Sequence, residues 1–157
     1  MVSHASIGGH PIHPMLVAFP IGLWVFSLVS DIVYFMGWGG AIWNDVAFYS
    51  MAGGIVGALL AAAPGLIDLL SITDPKVKSI GIWHMVINLV VVALFAINLW
   101  LRMGSAPDAR MLIGLSLLGV FLVGVSGWLG GEMVFKHGVG VEPQSDARRG
   151  GKDARAA

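Results

Sequence analysis

Four long apolar runs dominate the chain, approximately Pro14 to Met36, Asp45 to Ile72, Ile80 to Leu101 and Met111 to Phe135. Each meets the length of about 20 residues that an α-helix needs to cross the hydrocarbon core of a bilayer. The breaks between them are short: Gly37 to Asn44 is rich in Gly and Trp, Thr73 to Ser79 carries Asp-Pro, and Arg102 to Arg110 carries Ser-Ala-Pro-Asp. Such connections make successive helices antiparallel neighbours. The predicted fold is all-α, a four-helix transmembrane bundle running up-down-up-down over residues 1–141. After Val141 the composition changes to EPQSDARRGGKDARAA. That stretch is too poor in apolar residues to fold, so residues 142–157 are expected to form a disordered polar tail.

Composition makes lipid the expected solvent. Hydrophobic residues make up 57% of the chain, mean hydropathy is +0.83 and charged residues are 11%, against roughly 25% in a soluble domain. The formal net charge of +0 gives no field to recruit nucleic acid. The absence of cysteine excludes disulfides, thiolate metal sites and an iron–sulfur cluster held by the chain itself. Histidines and prolines, not a short basic segment, precede the first run, and no A-x-A-like cleavage site follows it. It is expected to be a retained span, not a signal peptide.

Trp38, Trp43, Trp83 and Trp100 fall at the ends of the predicted spans, where indole rings favour the headgroup zone, whereas Trp24 sits mid-span. Small residues recur at helix-contact spacing, Gly53, Gly57 and Ala61 in the second run and Gly127 with Gly131 in the fourth. With four crossings the two termini share a face with the loop between helices two and three. That face holds Lys76, Lys78, Lys136, Arg148, Arg149, Lys152 and Arg155; the other has Arg102 and Arg110. The positive-inside rule therefore places both termini in the cytoplasm, for a multi-pass protein of a bacterial inner membrane.

The same threading gathers the polar side chains. His10 and His13 precede helix one, Asp68 lies near the end of helix two, His84 about one turn into helix three, and Glu132 and His137 close helix four. All belong to the face that carries the termini, while Asp31 and Arg102 belong to the other. In GGHPIHPMLVAFPIGLW each of the first two histidines is followed by proline, which pushes it towards extended backbone. On one reading His13 merely caps the helix and Pro14 is its first residue; on the other, rigid Pro-flanked turns hold two imidazoles over the bundle mouth. His84 lies inside a span with Asn88 at i+4 on the same side, a polar stripe that must face the bundle. It reads either as a ligand or as a buried neutral histidine bonded to Asn88 or a loop carbonyl. Glu132 is spaced to pair with Lys136. Asp68 follows Pro64-Gly65, which should kink or break the second helix and turn its end inward. The aspartate then faces the histidines, lies solvated at the interface, or bonds freed amides. Asp31 is expected to neutralise Arg102 or Arg110.

The combination of GHPIHPMLVAFPIGLW, PGLIDLL, WHMVINL and GWLGGEMVFKHGVGV resembles the bacterial transmembrane family known as domain of unknown function 2231, over about Ile7 to Val141. The resemblance implies four helices. Some relatives are fused to Rieske-type iron–sulfur domains, which implies proximity to electron transfer; with no cysteine here, any electron donor is a separate protein. His10, His13, His84, Glu132 and His137 match the family's motif positions, without assigned roles.

Three functions compete. The first is a redox subunit binding haem b or a first-row divalent metal ion. For haem, His13 with His84 is the preferred axial pair, His10 and His137 are further candidates, and Lys76 or Lys78 would meet the propionates. For a bare ion, the donors are His10, His13, His84, Glu132 and Asp68. The second is a cofactor-free membrane subunit or scaffold, open to homo-oligomerisation. The third, a small permease, lacks an inverted repeat for alternating access.

Overall fold

Two aspartates set where the second half of the chain turns helical. Asp74 accepts hydrogen bonds from the amides of Lys76 and Val77, and Pro75 follows it at a position whose missing N–H costs nothing. The helix therefore starts at Pro75, ahead of the apolar run that begins at Ile80. Asp108 likewise accepts from the Arg110 amide. The computed structural model describes residues 3–104 and 108–141, and the polar tail 142–157 lies outside the described residues.

Four helices form the bundle: α1 (Ile12–Phe35), α2 (Ile42–Ser71), α3 (Pro75–Arg102) and α4 (Ala109–Phe135). Each is long and apolar enough to cross a membrane. Around the bundle α1 packs on α2 and α4, and α3 on α2 and α4. The start of α1 meets the end of α2 and the end of α1 meets the start of α2, as His13–Ala61 and Ser27–Ala47 contacts show. These two helices therefore run in opposite directions. Pro64 does not break α2, which continues to Ser71.

Ahead of α1, strands β1 (Ser6–Ile7) and β2 (His10–Pro11) pair antiparallel. Gly8 and Gly9 make the turn with φ of 58° and 82°, values that favour glycine. The Ile12 amide donates to the Ala5 carbonyl, so α1 begins at Ile12 after Pro11. This corrects the expectation that His13 caps the helix. His13 and Pro14 both lie in the first turn, where proline's missing donor is one of the four orphaned amides anyway.

Mid-bundle, Trp24 stacks on Phe95 with ring centroids 4.6 Å apart and planes 8° from parallel. Met51, Val91 and Val123 complete this buried cluster. Glycine makes room for both rings: a Cβ on Gly54 would collide with the Trp24 indole, and one on Gly119 would lie 2.7 Å from Phe95. Gly53 and Gly57 also face α1, their added Cβ atoms reaching Leu23 at 3.3 Å and Pro20 at 3.2 Å. The expected pair on α4 differs, because Gly127 has open space around it and Gly131 meets only Phe135 of its own helix. Gly119 and Gly130 are the close-packed glycines there.

One end of the bundle is closed by a buried ion pair. Arg102 donates to both carboxylate oxygens of Asp31 at 2.7 and 2.6 Å, the two side chains being 3% and 4% exposed. Ser116 donates to Asp31, Arg102 Nε donates to Asn98, and Asn98 donates to the Leu112 carbonyl. Arg102 also reaches Asn44 at 3.4 Å. All four helices thus share one polar network. Outward, Tyr49, Leu60, Phe121 and Trp128 are exposed, as lipid-facing positions require. Trp38, Trp83 and Trp100 are exposed near helix ends.

Candidate functional site: a paired imidazole

At the opposite end from the ion pair, α1 and α3 each present one histidine near their starts. The His13 and His84 rings stand 6.2 Å apart between centroids, with planes at 85°. Each ring is tied back by the same atom. His13 Nδ1 donates to the Ala61 carbonyl of α2 at 2.8 Å, and His84 Nδ1 donates to the Ser126 carbonyl of α4 at 2.9 Å. A carbonyl oxygen only accepts, so Nδ1 carries a proton in each ring, and the neutral form of such a ring keeps its lone pair on Nε2. Such bonds to the second ring nitrogen are what fix orientation and tautomer in histidines that bind metals.

Local sequence explains how the rings reach those carbonyls. Pro64 lacks the amide that would bond to Leu60, loosening the ladder beside Ala61. Gly65, one turn beyond Ala61, presents no side chain; a Cβ there would lie 2.7 Å from His13 Nδ1. Gly130, one turn beyond Ser126, does the same for His84, with its added Cβ at 3.3 Å from Cε1. The expected bond between His84 and Asn88 takes another form. Asn88 Nδ2 donates to the His84 backbone carbonyl and to Ser126 Oγ, so it steadies the serine, and Ser126 Oγ lies 3.0 Å from His84 Nδ1. Sequence reading missed Ser126 as a partner, and the signal was present in its place one helical turn before Gly130.

The remaining candidates are placed elsewhere. Asp68 accepts from Ser3 Oγ at 2.8 and 2.9 Å and from the His4 and Ala5 amides at 3.0 and 3.1 Å. Its carboxylate holds the amino-terminal segment against the end of α2. Glu132 pairs with Lys136 at 3.3 Å. His10 is exposed in β2, and His137 is half-buried just after α4. Among the described residues, no three His, Asp or Glu side chains come together as a metal-holding group. The proposed ion-binding set of His10, His13, His84, Glu132 and Asp68 is therefore not assembled, and His13 with His84 is the pair brought together.

Asp68→Ala is expected to free the amino-terminal segment, at a cost of about 1–3 kcal/mol for the donors left unpaired. Limited proteolysis should then cut near Ser3 to Ile7 while the His13–His84 pair is undisturbed. Unchanged protection would show that the carboxylate is not the anchor.

No curated protein and no solved structure matches the chain. The family model described as predicted membrane protein (DUF2231) matches residues 9–143. Its span takes in all four helices and both histidines of the pair, and the chain belongs to that family.

Proposed function

We propose that the protein is a redox subunit of the bacterial inner membrane that holds one b-type haem between His13 and His84. The observation that carries this reading is the paired imidazole itself, both Nδ1 atoms being bonded and both Nε2 lone pairs free of that bond. Two imidazoles on opposite sides of one ion, at the usual metal–nitrogen distance of about 2.0–2.1 Å, have ring centroids roughly 6 Å apart. The separation of 6.2 Å fits that arrangement.

The choice of haem over a bare ion follows from donor count. A first-row ion held by the protein takes three or four side-chain ligands. Asp68 and Glu132 have other partners, and two imidazoles alone do not suffice. A porphyrin brings four nitrogens and needs only the two axial ones. Gly65 and Gly130 let the two rings pack close on α2 and α4, and Lys76 or Lys78 at the start of α3 would meet the propionates. Bound there, the iron would carry one electron at a time. A separate protein would supply it, because the chain has no cysteine for a cluster of its own. The Lys and Arg count supports a cytoplasmic location for the site and both termini.

The test is an absorption spectrum of detergent-purified protein, oxidised and reduced, with iron measured on the same sample. About one iron per chain with a Soret band and a sharpened visible band on reduction supports the reading. Absence of both, after incubation with hemin, rejects it and leaves the scaffold reading in front.

A further inference from the structure

The contacts described above recur with a fixed shift in residue number. Adding 71 to an α1 residue gives its counterpart in α3: His13 and His84, Trp24 and Phe95, Ser27 and Asn98, Asp31 and Arg102. Adding 65 to an α2 residue gives its counterpart in α4: Ala47 and Leu112, Gly54 and Gly119, Ala61 and Ser126, Gly65 and Gly130. The partners match as well as the positions. His13 bonds Ala61 and packs over Gly65, and His84 bonds Ser126 and packs over Gly130. Trp24 lies over Gly54 and Phe95 over Gly119. Ser27 donates to the Ala47 carbonyl and Asn98 to the Leu112 carbonyl.

A second regularity is independent of the first. Three corresponding pairs touch each other: His13 with His84, Trp24 with Phe95, and Asp31 with Arg102. A residue meets its own counterpart only on a two-fold axis, as at an isologous dimer interface. The three pairs lie at successive levels from one end of the bundle to the other, so the axis runs along the helices.

We propose that the bundle is a fused two-fold dimer of one helical hairpin, α1–α2 facing α3–α4, and that the imidazole pair consists of two equivalent half-sites on its axis. The inner face of each hairpin is an interaction surface shaped for the chain's other hairpin, Asp31 of the first meeting Arg102 of the second. Each half supplies one complete unit of histidine, carbonyl acceptor and glycine. On the haem reading, on which this step alone rests, His13 and His84 would each supply one nitrogen donor, one from each half. The two offsets differ because the first hairpin is longer at its turn: α1 runs to Phe35, a turn past Asp31, whereas α3 ends at Arg102.

The symmetry predicts that an α1-to-α4 distance equals the corresponding α3-to-α2 distance. The chain has no cysteine, so spin labels are introduced cleanly by Val29→Cys with Phe121→Cys, and in a second sample by Trp100→Cys with Val56→Cys, all exposed positions. Coincident distance distributions support the proposal; centres separated by more than their widths overturn it. A second measurement exchanges residues across the axis. Trp24→Phe with Phe95→Trp should unfold within about 3 °C of the unaltered protein, a shift equivalent to roughly 1 kcal/mol for a chain of this size, while each single exchange loses more. A double exchange that loses as much as the two singles combined overturns the equivalence of the two ring sites. Neither readout needs haem, so a colourless protein with equal distances rejects the cofactor and keeps the symmetry.

Discussion

Arg102→Ala is expected to destabilise the bundle by about 3–5 kcal/mol, the usual cost of leaving one member of a buried ion pair without its partner. Asp31 is 4% exposed and accepts two bonds from Arg102, so the truncation strands a carboxylate among apolar helices. The loss spreads further, because Arg102 also donates to Asn98, which in turn donates to the Leu112 carbonyl. Thermal unfolding in detergent checks the size of the effect. The double variant Asp31→Asn with Arg102→Met should recover much of the stability, because no buried charge then remains. A single variant as stable as the unaltered protein would show the pair to be hydrated rather than buried.

His84→Ala is expected to abolish haem retention on the proposed function. A bis-imidazole site with one ring removed keeps a single axial bond and opens a space where the ring had filled the bundle. His13→Ala should act alike, and added imidazole should restore a low-spin spectrum in both variants by entering the vacated space. Asn88→Ala provides the contrast, since it removes the bond to Ser126 Oγ but neither ring; it should weaken retention less than the loss of either histidine. The readout is the Soret absorbance remaining after gel filtration. Full retention in His84→Ala would remove that ring from the ligand pair.

The helices were legible because a bilayer demands long apolar runs, and the chain has four of them. The pairing of His13 with His84 was legible for the same reason: an even spacing of crossings returns the starts of helices one and three to one level. Helix rotation was not legible. In lipid the outside of a helix is as apolar as the inside, so nothing in the pattern distinguishes Gly130, which packs on His84, from Gly127, which faces open space. Asp68 was misplaced because its partners Ser3, His4 and Ala5 lie in a segment without helical periodicity. The repeat was hidden by its two unequal offsets and by divergence of the matched residues, Trp24 against Phe95 and Asp31 against Arg102.

The unlike charges of Asp31 and Arg102 also govern which hairpins will associate. Two first hairpins brought together would oppose carboxylate to carboxylate, and two second hairpins would oppose guanidinium to guanidinium, each repulsive and starved of water. Only a first with a second cancels. The unlike charges therefore favour the pairing of a first hairpin with a second over either like-with-like pairing.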